Sequence, residues 1–80
     1  MINIGYGNFV QQSRVVAILN PESAPVKRLI QEMKKSKTLL DATFGHKTRA
    51  VLALDNGSLI LSSHSPEILA QNFSSPEEEK

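Results

Sequence analysis

Residues 48–54, Thr48-Arg49-Ala50-Val51-Leu52-Ala53-Leu54, place Ala50, Leu52 and Leu54 on one side of an extended chain and Val51 and Ala53 on the other. Apart from its first residues this strand is apolar on both faces, which is the pattern of a strand covered from both sides. Asn56-Gly57 follows, and then Leu59-Ile60-Leu61. Asn-Gly between two apolar runs is a strong hairpin signal, because both central residues of a type I′ turn need positive φ. The fold must therefore be built around a hairpin whose two faces both need cover. Eighty residues supply one domain with a thin core. With only two modest helices available, burial against further copies of the chain is the economical expectation.

The remaining elements follow from turn residues and periodicity. Residues 2–7 read as a short strand running into the glycine-rich turn Gly5-Tyr6-Gly7-Asn8. Residues 14–19 are a β-branched strand ended by Asn20-Pro21. Ser23 is placed as an N-cap, with Pro25 in the first helical turn, where proline is tolerated. Val26, Leu29, Ile30 and Met33 recur at i, i+3, i+4 and i+7, one apolar stripe, while Lys27, Arg28, Gln31, Lys34 and Lys35 cover the opposite face. This long helix is expected to end near Lys35 or Ser36, without a glycine to stop it. Residues 38–43 form a strand, Phe44-Gly45-His46-Lys47 turns the chain, and residues 48–54 return. Ser65-Pro66-Glu67 starts a short helix through Ile68, Leu69 and Phe73. The order β-β-α-β-β-β-α predicts an α+β fold with a small, mainly antiparallel sheet, one long helix and one short C-terminal helix. Residues 1–73 form the domain and residues 74–80, Ser-Ser-Pro-Glu-Glu-Glu-Lys, a disordered acidic tail.

Composition removes several function classes. The absence of cysteine excludes a disulfide framework and a thiolate metal site. No stretch approaches the roughly 20 apolar residues of a membrane span. The start, Met1-Ile2-Asn3-Ile4, has neither a charged n-region nor an apolar h-region, so a cytoplasmic protein is expected. Asp41 and His46 would need a serine partner and an oxyanion hole to make a hydrolytic site; Asp41 is better placed at a strand end, near the loop. His46 and His64 lie on different connections with no accompanying carboxylate pattern for a metal. Gly5-Tyr6-Gly7 lacks the strand–turn–helix setting of a dinucleotide fingerprint. These readings point away from an enzyme, a cofactor, a metal or a small-molecule substrate.

Charge points elsewhere. Residues 1–49 hold eight Lys/Arg against three Asp/Glu, whereas residues 50–80 hold one against five. Such a split suggests an anion-binding surface and an acidic tail. Its focus is His46, Lys47 and Arg49, placed at or beside a hairpin tip with Thr48 between them, where Lys and Arg can neutralise phosphates. Arg14 opens a neighbouring strand and is expected to join the same surface. Lys34 and Lys35 are placed on a solvent face away from the loop.

The motifs also carry a resemblance. Residues 2–8, Arg14, the run Pro21-Glu22-Ser23-Ala24-Pro25-Val26-Lys27-Arg28, residues 40–51 (Leu40-Asp41-Ala42-Thr43-Phe44-Gly45-His46-Lys47-Thr48-Arg49-Ala50-Val51), Leu61-Ser62 and Pro66-Glu67 resemble, in order and without evident gaps, the successive motifs of the RemA-like family of extracellular matrix regulatory proteins. The resemblance implies a bacterial, cytoplasmic, nucleoid-associated regulator that binds double-stranded DNA and is linked to biofilm-matrix genes. It also implies a ring-like homo-oligomer with a fold related to LytTR-type domains. The family's DNA-contacting arginine on the second strand falls on Arg14, and its basic pair, commonly Arg-Arg, falls on His46 and Lys47. That departure matters, because histidine is mostly uncharged near neutral pH and lysine lacks arginine's bidentate fork. Its expected result is weaker, more salt-sensitive or pH-dependent binding, or a different target. The acidic tail is a second departure, since folded back it would repel DNA. From another class, the alternative is an oligomeric scaffold or protein-interaction module without DNA binding.

Overall fold

The computed structural model describes residues 1–71. Its elements are β1 (Ile2–Gly5), β2 (Asn8–Val10), a 3-10 turn (Gln12–Arg14), β3 (Val15–Leu19), α1 (Ala24–Ser36), β4 (Leu39–Asp41), β5 (Ala50–Leu54), β6 (Leu59–Ser62) and α2 (Pro66–Gln71). The α+β class is as expected, with one strand more than the sequence order implied. β1 and β2 form an antiparallel hairpin of their own. The other four strands form a sheet in the order β3-β5-β6-β4, antiparallel except for β4, which runs parallel to β6. Phe73 and the expected tail at 74–80 lie outside the described residues.

The two faces of β5 are both closed within one chain. Val51 and Leu52 point to opposite sides, and each is 0 % exposed. On one side α1 crosses from edge strand β3 to edge strand β4 and lays Val26, Leu29, Ile30 and Met33 on Val51, Leu59 and Leu61. On the other, Ile2, Ile4 and Val10 of the β1–β2 hairpin and Leu69 of α2 pack with Ala50, Leu52 and Ile60. The expectation that further copies must cover the central strand is thereby corrected. The β1–β2 hairpin and α2 form the third layer. Ser62 ties that layer down: its buried hydroxyl donates to the Ile4 carbonyl at 2.9 Å and accepts the His64 N–H at 3.1 Å.

Among the described residues, no further strand pairs with either edge of the main sheet. Val16 on β3 is 65 % exposed and Leu40 on β4 is 60 % exposed.

In the β5–β6 hairpin the Gly57 N–H bonds to the Leu54 carbonyl at 3.1 Å and the Leu54 N–H to Ser58 at 2.9 Å. Gly57 has φ +87°, but Asn56 is not in the left-handed region. The loop is thus a three-residue connection, a turn of ordinary hand followed by a left-handed glycine, rather than the expected two-residue type I′ turn. Helix α1 begins after Ser23, whose side chain makes no capping bond, and ends at Ser36. Lys37 supplies the left-handed stop at φ 61°, and the Thr38 N–H closes back on the Met33 carbonyl at 3.2 Å. A non-glycine residue there explains why no stop signal was visible.

Candidate nucleic-acid interface

Residues 42–49 are not a hairpin tip, which corrects the sequence reading. β6 lies between β4 and β5, so this segment carries the chain over the end of β6. The Ala42 N–H bonds to Leu61 at 3.0 Å as the segment leaves β4, and the Arg49 N–H to Ser62 at 2.8 Å as it enters β5. Asp41, at the end of β4 as expected, anchors the start. Its Oδ1 accepts the Thr43 N–H at 2.9 Å and the Thr43 hydroxyl at 2.5 Å. These bonds, the hydroxyl first, and more weakly the charge of Lys34, hold the Asp41 carboxyl below its ordinary pKa. Thr43 itself is buried.

From this anchor the chain turns sharply. The His46 N–H bonds to the Thr43 carbonyl at 3.0 Å, and the two residues between them, Phe44 and Gly45, have φ of 55° and 83°. The β1–β2 turn has the same character, with Tyr6 at 54° and Gly7 at 79°. The two aromatic-Gly turns face one another. Tyr6 stacks on Phe44 with centroids 5.3 Å apart and on His46 with centroids 5.2 Å apart, at interplanar angles of 22° and 14°. His46, placed in the site by sequence, is thus held by a ring from the far end of the chain. Tyr6 and Phe44 were missed; the signal that could have found them is the aromatic-Gly pair occurring twice.

Lys47 and Arg49 are exposed and, with half-buried Thr48, line an open depression shared with Pro21, Glu22, Pro66 and Glu67. Neither cation forms an ion pair among the described residues. Two cations on a braced loop, close to two carboxylates yet not neutralised by contact, can receive an anion such as a phosphate. Arg14 is elsewhere. Its Nε donates to Asp55 Oδ1 at 2.9 Å, and its carbonyl accepts the Asp55 N–H at 2.9 Å. Because Val15 opposes Leu54 while Leu19 opposes Val51, Arg14 lies at the end of β5 remote from Arg49. The length of β5, roughly 14 Å at the usual rise, separates them. The expectation that Arg14 joins the loop's surface fails within one chain.

The motifs behind this geometry are those of a known family, whose model, described as Extracellular matrix regulatory protein A-like, matches residues 1–73. The chain belongs to the RemA-like family. Among its relatives is a Bacillus cereus (strain Q1) protein named "Putative regulatory protein", 51 % identical over 77 residues, which are 96 % of this chain and 88 % of the relative. A Bacillus anthracis (strain CDC 684) protein of the same name is 49 % identical over the same shares. For this RemA-like chain, the Asp41-Ala42-Thr43 and Gly45-His46-Lys47-Thr48-Arg49 motifs are thus the anchor and the exposed arm of one loop.

Proposed function

We propose that this RemA-like chain is a cytoplasmic DNA-binding transcription regulator, of the kind that controls biofilm or extracellular-matrix genes, and that it acts as a homo-oligomer. The observation that carries this reading is the pair of exposed cations Lys47 and Arg49, without an ion-pair partner among the described residues, on a loop braced at both ends. The family's description as a matrix regulatory protein and the relatives' name support the regulatory role. One subunit offers few phosphate contacts, and repetition of the loop multiplies them through effective concentration. Such a surface positions duplex DNA by its backbone and selects sequence mainly through deformability. The open edges at β3 and β4, with Val16 and Leu40 exposed, favour self-association, since an uncovered edge strand is a template for pairing. In an assembly, Arg14 of one copy can extend the surface made by His46, Lys47 and Arg49 of another.

The same edges favour the second reading, an oligomeric scaffold without DNA binding. A low-salt gel-shift with duplex DNA, paired with solution mass by light scattering, separates the two. A shifted complex from a species heavier than the 8.8 kDa chain is the expected result. A heavier species that shifts no DNA favours the scaffold, and a monomer removes the multivalent mechanism.

A further inference from the structure

The Tyr6 stack braces the basic loop at His46, but bracing alone does not account for the exposed ring of Phe44. Phe44 is 79 % exposed and Tyr6 51 % exposed, so neither ring contributes much burial. Both sit in a left-handed conformation that non-glycine residues adopt only at a cost. A glycine or asparagine at either position would make the same turn with less strain. What the aromatic residues add is a set of rings with Tyr6 common to both contacts, leaving most of the Phe44 ring open to solvent. Lys47 and Arg49 follow within five residues of Phe44, exposed and unpaired with carboxylates among the described residues. An open ring face on the same short loop as two exposed cations matches a polyanion whose units carry flat aromatic groups. A protein surface would need its own acidic groups to suit Lys47 and Arg49, whereas a nucleic acid satisfies both features at every residue.

We infer that Phe44 is a base-stacking wedge: its open face stacks on a nucleobase at an opened step of the duplex, while Lys47 and Arg49 hold the flanking phosphates. This rests on the DNA-binding reading above. Apolar wedges of this kind partly unstack a base step and bend the duplex. Tyr6 and His46 act as positioning residues that keep the loop and its ring in place. Because the two aromatic-Gly turns come from β1–β2 and from the β4–β5 connection, the wedge is braced by two separate parts of the chain.

The test compares a matched duplex with the same duplex carrying one unpaired base, where the unstacking is already done. Binding of the full chain is followed by fluorescence anisotropy, with 2-aminopurine at the altered step to report stacking. The native protein should prefer the unpaired-base duplex by about tenfold, within the usual range of base–aromatic stacking. Phe44→Ala should lose that preference and the 2-aminopurine signal while leaving the salt dependence of binding unchanged, since no charge is removed. Phe44→Trp should keep both. Equal behaviour of native and Phe44→Ala proteins on the two duplexes overturns the wedge and leaves the DNA-binding reading standing. A change in solution mass on Phe44→Ala also overturns it, because the ring is then covered by another copy. Failure of the native protein to bind either duplex overturns the DNA-binding reading itself.

Discussion

Asp41 does for the loop what a cap does for a helix, accepting two bonds from Thr43 with one oxygen. Because those bonds favour the ionised form, its carboxyl titrates below the ordinary range in the folded protein. The resulting stability is fully present above the carboxyl's unfolded pKa, near about 4, and is lost as pH falls below it through the lower folded value. Urea denaturation between about pH 5 and 3 should show this, and Asp41→Asn should flatten that part of the stability curve; an unchanged curve would show that Asp41 does not anchor the loop. The sequence made His46, Lys47 and Arg49 visible because charge in a turn is a local property. It did not reveal Tyr6, because stacking across 38 positions depends on where two turns meet. Arg14 was misplaced for a similar reason, since only the β3–β5 register tells which end of the sheet it occupies.

Most elements were legible from local pattern, and their pairing was not. The apolar stripe of α1 and the strands around Asn56-Gly57 lie where periodicity put them. β2 escaped notice because three residues give no alternation to read. β4 follows its neighbours in sequence as a hairpin would, yet pairs parallel with β6, a choice made by α1 carrying the chain across the sheet. At the β5–β6 turn the Asn-Gly signal was right and the hand of the first residue wrong. The loop holds Gly57 at φ +87° with nothing within 4 Å of a would-be Cβ, so the cost of a side chain there comes from backbone conformation alone. Gly57→Ala should destabilise the protein by about 1 kcal/mol in urea melts. A loss near zero would show that the hairpin readily re-forms with another turn.

The described residues form a four-stranded sheet with α1 on one face and a hairpin and α2 on the other, and among them the two sheet edges and the basic 46–49 loop stay open. The apolar central strand suggested that other copies were needed as cover, but a short N-terminal hairpin and α2 cover it, because Ile2, Ile4, Val10 and Leu69 fill that face. The exposed Val16 and Leu40 make the sheet edges the surfaces that the proposed self-association would use. If DNA meets this molecule at the 46–49 loop, as proposed, the slope of log K against log salt for duplex binding reports the loop's charges. For the native protein affinity should fall steeply with salt, and Lys47→Ala with Arg49→Ala should lower the slope by roughly two units per subunit engaged. Lys27→Ala with Arg28→Ala, which removes the same charge from the exposed face of α1, should leave the slope unchanged. A slope that falls with the helix pair and stays with the loop pair would move the DNA-facing surface from the loop to α1.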